Sequence, residues 1–355
     1  MRDATSQGYR LLDAVKGVQL SQRRNIIQFA TAGTVLLCIL ILSFFFLYDD
    51  SSSPTAWSLP ASLNAADVGP RTKISLCDGF DQKAVPSLLQ AEAKYEQLLD
   101  NKFTIVIQTY KRPAVLNETL HRIIEGESKM LDQIIIAWND LETPVPKDWN
   151  SPGGIPIHYQ QSDKNSLNQK LKPNPRIKTK GVLLGDDDTF YTTPDMEFAF
   201  KTWRETGQSR LVGAWPRLGK PNKEGQWHYI IPGKESEYNM ILTGLTFVHI
   251  AFLDYYSSSD VLMTQIRDYV DEHFNCEDIA MNYMTQYITG CPTIYAKGKG
   301  GARLTPKPKG MPRIGNNKGH LARRTACLND FNKMFGRNPL KNQAGFLISA
   351  ELHVS

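Results

Sequence analysis

Histidine and cysteine are scarce in this chain, with seven and five copies among 355 residues. No cysteine spacing resembles a zinc site, which sets aside a structural zinc centre. His249 and His273 stand with nothing at ligand spacing and read as core or surface residues. Strong net charge is missing too. Forty-one Lys and Arg against 36 Asp and Glu leave +5, too little for overall basicity to argue for nucleic acid. No internal repeat is present, which excludes solenoids and propellers. The charge that exists is unevenly placed: Lys297, Lys299, Arg303, Lys307, Lys309, Arg313, Lys318, Arg323 and Arg324 crowd one Gly- and Pro-rich stretch. That stretch reads as either a solvated loop or a basic flap over an anionic ligand.

One long apolar run decides the compartment. Residues 26–48 carry no charge, and only Gln28, Thr31, Thr34 and Ser43 interrupt them. About 20 such residues span a bilayer. Arg2, Arg10, Lys16, Arg23 and Arg24 precede the run and Asp49 and Asp50 follow it, so the positive-inside asymmetry keeps the N-terminus cytosolic. A cleaved signal peptide has a shorter apolar core and a shorter lead. The expected plan is a cytosolic tail at 1–25, a single transmembrane anchor at 26–48, a stem at 49–100 and a lumenal domain at 101–355. Within the stem, 86–99 turns helical. Such a type II protein belongs in the Golgi or ER membrane. Asn117-Glu118-Thr119 is an N-glycosylation acceptor there. Cys77, Cys276, Cys291 and Cys327 lie on the side where disulfides form, and four cysteines allow three pairings.

From Phe103 strands alternate with helices. Residues 103–109 (FTIVIQT), 133–138 (QIIIAW), 157–159 and 181–185 read as strands, with a helix near 115–125 and one opened by Pro194. Further strands are expected at 211–215, 227–231, 239–242 and 246–250, and helices at 261–274, 278–287 and 321–335. This order implies an α/β domain with a mostly parallel sheet. Ligands of such sheets sit at the carboxyl ends of the strands. Gln108 and Arg112, Asn139, and Asp186 to Asp188 lie at three of those ends.

The sharpest signal is Gly181-Val182-Leu183-Leu184-Gly185-Asp186-Asp187-Asp188-Thr189. An apolar strand runs into three consecutive carboxylates, whose mutual repulsion calls for a cation. A divalent metal bridging a diphosphate supplies one. The bland alternative is a solvated acidic turn. Haloacid-dehalogenase-type phosphatases want Asp-x-Asp-x-Thr/Val after a strand, and Phe190 occupies the fifth position here. A second constellation is Asn275-Cys276-Glu277-Asp278-Ile279-Ala280-Met281-Asn282. Glu277 and Asp278 stand where a helix begins, a place the helix dipole favours for acids in any case. The functional alternative makes Asp278 the carboxylate at the reacting centre.

Together, FTIVIQTYKRP (103–113), IIIAWN (134–139), VLLGDDDT (182–189), GAWPR (213–217), YNMILTGLTF (238–247) and NCEDIAMN (275–282) resemble the exostosin-like glycosyltransferases, glycosyltransferase family 64. The resemblance covers residues 100–345. It implies a GT-A fold with a mixed sheet and flanking helices. It also implies Mn²⁺-dependent transfer, with retention, of one sugar from a nucleotide donor onto a glycan or glycolipid. A UDP-linked N-acetylhexosamine is the favoured donor, with GDP-mannose, a sugar-nucleotide hydrolase and a non-catalytic carbohydrate-binding protein as alternatives. Carried over, it places Gln108 and Arg112 along the nucleotide, with Asn139 and Asn165 at base or ribose. Asp186 and Asp187 fall at ribose and donor sugar, and Asp188 at the metal. Asp278 becomes the catalytic carboxylate, Glu277 lies beside it near the sugars, and Arg324 touches the diphosphate. The resemblance further pairs Cys276 with Cys327. Lys170 stands where animal members carry Arg, and Glu277 replaces an Asp.

Overall fold

The four expected apolar strands form the centre of one sheet. A computed structural model of the chain describes residues 74–233, 237–306 and 319–348, all of them within the compact unit Pro70–Ser355. In chain order the elements are α1 (Val85–Lys94), β1 (Leu99–Thr109), α2 (Pro113–Ile124), β2 (Leu131–Trp138), β3 (Trp149–Asn150) and β4 (Pro156–Gln161). After a 3₁₀ turn at Gln169–Leu171 come β5 (Thr179–Asp186), β6 (Thr189–Tyr191), α3 (Thr193–Glu205), β7 (Val212–Gly213), β8 (Pro216–Pro221) and β9 (Trp227–Ile230). The remainder is β10 (Met240–Ile241), β11 (Leu245–His249), α4 (Ile250–Tyr256), α5 (Val261–His273), α6 (Glu277–Thr289), β12 (Ile294–Tyr295), β13 (Ala302–Leu304) and α7 (His320–Met334).

Eight strands form the main sheet in the order β12-β7-β11-β5-β1-β2-β4-β3. β1 pairs in parallel with β2 and β5, and β4 extends that set, while β11 runs antiparallel to β5. The sheet is therefore mixed, flanked by helices. Its central strands are apolar on both faces because both faces are covered. Ile105, Ile107, Ile134, Ile136 and Leu183 pack with residues of α2 and α3. Their neighbours Val106, Ile135, Val182 and Leu184 pack with residues of α4, α5, α6 and α7. Each such side chain contributes about 1.5–3 kcal/mol on burial.

The second half keeps the expected strands in order, with β7 and β10 shortened to two residues each, and adds β8, β12, β13 and the short helix α4, which were not among the expected elements. α6 is almost wholly buried, eleven of its 13 residues, and a helix embedded in a core need not be amphipathic. The stretch expected as stem behaves differently from residue 74 onward. Leu88 and Ala91 of α1 are buried in the core shared with α4 and α6, and Cys77 is disulfide-bonded to Cys291. Apolar spacing on α1 supplies the physical reason: a helix with a buried stripe needs a surface to bury it against. Among the described residues no helix is long and apolar enough to cross a membrane. The anchor expected at 26–48, the tail before it and Lys307, Lys309, Arg313 and Lys318 lie outside the described residues.

Candidate active site

Parallel pairing sets Gln108 beside Asp186 on one flank and Ala137 on the other, so the ends of β1, β2 and β5 meet as expected. The three acids then diverge, because the strand ends at Asp186 and the chain turns through Asp187 and Asp188 before β6. The Asp186 side chain is 43% exposed and that of Asp188 16%, whereas Asp187 is wholly buried. Asp187 meets Arg112, through Nε at 3.1 Å and through a close Nη2 contact, and Thr109 Oγ1 at 2.7 Å. It faces inward, where it orients Arg112. Arg112 Nη1 lies 3.5 Å from Asp188, so one guanidinium offsets two of the three charges.

Backbone contacts fix the turn itself. Thr119 Oγ1 donates to Asp187 O at 2.6 Å and lies 2.6 Å from Thr305 Oγ1, while Thr305 N donates to Asp188 O at 2.8 Å. Gly244 O accepts from Asp186 N at 3.2 Å and from Thr189 Oγ1 at 2.7 Å. A Cβ on Gly244 would stand 2.8 Å from Asp186 Oδ2, so any larger residue there would displace the Asp186 carboxylate. Sequence reasoning missed these positions because the partners are far apart in the chain. Asn117 sits exposed on α2, while Thr119 of the same triplet is completely buried.

The second constellation faces the first. Lys170, buried in the 3₁₀ turn, places Nζ 2.8 Å from Asp186 Oδ1 and 3.4 Å from Glu277 Oε1. Burial pulls the Lys170 pKa down, but Asp186 and Glu277 outweigh it and hold the ammonium above its ordinary value. Burial pushes the Glu277 carboxyl up, Lys170 draws it back, and Asp278 pushes it further. Asp278 Oδ2 contacts Arg324 Nη2, and its Oδ1 accepts from Ile279 N at 2.7 Å. Arg324 Nη1 donates to Asn275 Oδ1 at 3.2 Å, its guanidinium lies 4.6 Å from the Tyr229 ring centroid, and its buried Nε has no hydrogen-bond partner among the described residues. Burial works against the charged guanidinium, and Asp278 more than compensates, raising its pKa.

Two further features hold this end in place. Cys276 is disulfide-bonded to Cys327, joining the start of α6 to α7. Cys276 also adopts φ 75° and Phe274 φ 47°, a left-handed conformation that non-glycine residues rarely adopt and that clusters at functional sites. Asn139 is buried, bonding to Ser166 O at 3.0 Å, to Ser162 Oγ at 2.6 Å and to Asn165 Oδ1 at 3.4 Å. It shapes the 162–166 loop and leaves the half-buried Asn165 nearer the surface.

Among the described residues no three His, Cys, Asp or Glu side chains are gathered as a metal cage. Hard divalent cations that serve phosphates commonly take only one or two carboxylates, with phosphate oxygens completing the shell. Partly exposed Asp188, backed by Arg112, fits that pattern.

Acidic strand ends facing a buried carboxylate–arginine pair equip a group-transfer enzyme, and comparison with known proteins makes that enzyme a glycosyltransferase. The chain belongs to glycosyltransferase family 64, whose domain model matches residues 103–350. It is 32% identical over 240 residues to an exostosin-like-3 homolog of Caenorhabditis elegans, covering 68% of this chain and 28% of that protein. Human exostosin-2 is 32% identical over 255 residues, covering 67% of this chain and 33% of that one. Mouse exostosin-like 2 is 28% identical over 252 residues, covering 68% and 74%. A rice protein named glucosamine inositolphosphorylceramide transferase 1 is 32% identical over 254 residues, covering 70% and 33%. The chain thus spans about a third or less of several of the relatives it matches.

Proposed function

We propose that the chain is a Mn²⁺-dependent, retaining glycosyltransferase of GT-A type. It moves one N-acetylhexosamine from a UDP-sugar onto a glycan or glycolipid, and is held in the Golgi or ER membrane by residues 26–48. The observation that carries this reading is the juxtaposition of Asp186–Asp188 and Glu277–Asp278 through Lys170. A hexosamine is supported by the rice relative, whose name pairs glucosamine with inositolphosphorylceramide.

In this reading Asp188 holds the metal, which supplies positive charge to the leaving diphosphate. Gln108 and Arg112 line the nucleotide, with Asn165 at base or ribose and Asn139 bracing it. Asp186 and Glu277 accept hydrogen bonds from ribose and donor-sugar hydroxyls, while Lys170 keeps the two acids at fixed separation. Arg324, fixed by Asp278 and Asn275, supplies positive charge near the diphosphate. Both oxygens of Asp278 are already engaged, one by Arg324 and one by Ile279 N–H. Such a carboxylate is a poor nucleophile and a good fixed negative charge, so Asp278 steadies the oxocarbenium-like centre during front-face departure. A glycan on Asn117 would have to be added before folding, while Thr119 is still accessible.

The test is a donor screen with full-length protein, Mn²⁺ and a panel of glycan and glycolipid acceptors. UDP-N-acetylhexosamine is expected to give the largest transfer signal, with the product anomer matching the donor. Preference for GDP-mannose, an inverted product, or donor hydrolysis unaffected by any acceptor would sink the reading.

A further inference from the structure

Between β4 and β5, residues 162–171 carry both Asn165 and Lys170. Asp271, in the last turn of α5, reaches the middle of this loop. Its Oδ1 accepts from Ser166 Oγ and, at 2.9 Å, from Asn168 Nδ2, while Oδ2 accepts from Nζ of exposed Lys164 at 2.5 Å. Ser166 and Asn168 are buried, so loss of that acceptor would leave buried donors unpaired. The contacts pass on to both donor-facing residues. Ser166 O accepts from Asn139 Nδ2 at 3.0 Å, and the same amide lies 3.4 Å from Asn165 Oδ1. Asn168 O accepts from Leu171 N at 3.0 Å, closing the turn in which Lys170 sits, and Asn168 Oδ1 accepts from Tyr256 OH at 2.7 Å. Lys170 Nζ then bridges Asp186 and Glu277.

Helix α5 also leads into the other half of the site. It ends at His273, and left-handed Phe274 and Cys276 turn the chain into α6 at Glu277. We propose that Asp271 is a positioning residue for the nucleotide, latching loop 162–171 to α5 so that Asn165 and Lys170 stand at a fixed distance from Glu277 and Asp278. This rests on the reading that the site takes a nucleotide-linked sugar. A carboxylate that gathers several strong hydrogen bonds holds the loop before the ligand arrives, and the ligand then orders less chain on binding. Asp278 has supports of its own in Arg324 and the Cys276–Cys327 bridge. The latch therefore acts on donor binding and leaves the chemical step alone.

Two variants of the full-length protein test it. Asp271→Ala removes every acceptor, whereas Asp271→Asn keeps an oxygen for Ser166 and Asn168 and loses only the exposed charge pair with Lys164, which is worth little. In hydrogen exchange without ligand, the amides of 166–171 should exchange about tenfold or more faster in Asp271→Ala, with those of α6 unchanged. UDP and GDP are then titrated with Mn²⁺ present. The nucleotide that binds wild type should bind Asp271→Ala about tenfold more weakly and Asp271→Asn within about threefold. In transfer assays the donor KM of Asp271→Ala should rise about tenfold while kcat stays within about threefold. Ser166→Ala removes one bond of the same latch and should weaken nucleotide binding about threefold or more, so it reports if Asp271→Ala fails to fold. Loop amides that exchange as in wild type would overturn the latch. Faster loop exchange with unchanged nucleotide affinity, or an asparagine variant as weak as alanine, would overturn the positioning role. Wild type that binds neither nucleotide defeats the proposed activity and the positioning role with it. Wild-type binding that Asp271→Ala leaves intact defeats this inference alone.

Discussion

A single buried ammonium, Lys170 Nζ, joins Asp186 at the end of β5 to Glu277 at the start of α6, at 2.8 and 3.4 Å. Two segments 91 residues apart (277 minus 186) depend on it for their spacing. Without the cation the two acids repel, one largely buried and the other partly exposed. Lys170→Met should cost about 3 kcal/mol, toward the lower end for a broken buried pair because Asp186 retains water. It should also raise the donor KM more than tenfold. Lys170→Arg should fold and retain most donor affinity, since the planar fork spans both acids. Urea melts and donor titrations check both. An arginine variant as impaired as methionine would show that charge is not the point of contact.

Asp278 makes the second prediction. Asp278→Asn keeps the hydrogen bond to Ile279 N and removes the charge facing Arg324. Transfer should fall about 10²–10³-fold, the scale of losing one preorganised electrostatic partner at a developing charge. Donor affinity, measured by competition with UDP, should stay within a few-fold. Peptide mass spectrometry of wild type quenched in turnover should find no sugar on Asp278, and a glycosylated Asp278 peptide would establish double displacement instead.

How far this site was legible in the sequence depends on how local each cause is. Strand β5 announced itself because burial on both faces leaves a continuous apolar run, and the acids after it were plain. Glu277 and Asp278 were equally visible at a helix start. The inward turn of Asp187 was not legible, because the strand ends at Asp186 and the turn that follows is oriented by Thr109, Arg112 and Thr119 from other elements. Lys170 stood in a loop of mixed polarity, where nothing local indicates that its side chain is 3% exposed. Thr119 and Thr305 meet across 186 residues, and no local pattern encodes such a contact. The packing of α1 went unseen because Ser- and Pro-rich sequence before it resembles a linker.

The two disulfides separate stability from catalysis. Cys276–Cys327 closes 51 residues and Cys77–Cys291 closes 214, worth about 4 and 5 kcal/mol in the chain-entropy account. Only the first flanks the reacting groups, with Cys276 next to Glu277 and Cys327 one helical turn from Arg324. Replacing both cysteines of either pair by Ala should lower the melting temperature. Only Cys276→Ala/Cys327→Ala should also cut kcat per folded molecule, by about tenfold or more, because the left-handed backbone at Cys276 then relaxes. Equal kcat in the two double variants would remove the positioning role.

Asp188 is the point at which metal dependence can be read without assuming the chemistry. Thermal melts with UDP should shift upward when Mn²⁺ is added and not with Mn²⁺ alone, as mass action requires when the phosphates complete the shell. Asp188→Asn should abolish the Mn²⁺-dependent part of the shift while leaving the melt of the unliganded protein within a few degrees. Chelation should stop transfer and excess Mn²⁺ restore it. A full shift in Asp188→Asn would move the metal to another carboxylate.

Protonation of His249 should weaken the fold in acid. The residue is buried against Trp203 and caps α4, its Nδ1 accepting from Ala251 N at 3.1 Å. Burial pulls its pKa from 6.5 to about 3, helped by Lys180, so the folded state keeps it neutral. Protonation would cost both the desolvation of a cation and the cap, since a protonated Nδ1 can no longer accept. Between the folded and unfolded values the unfolded chain binds the extra proton, so stability is fully present above pH 6.5 and falls as pH drops toward 3. About 2 kcal/mol should be lost between pH 6.5 and 5 from this group. His249→Asn retains a capping oxygen and cannot titrate, so its stability should fall less steeply over the same interval, whatever its starting value. Parallel urea-melt slopes for the two proteins between pH 5 and 6.5 would mean that His249 is not the group responsible.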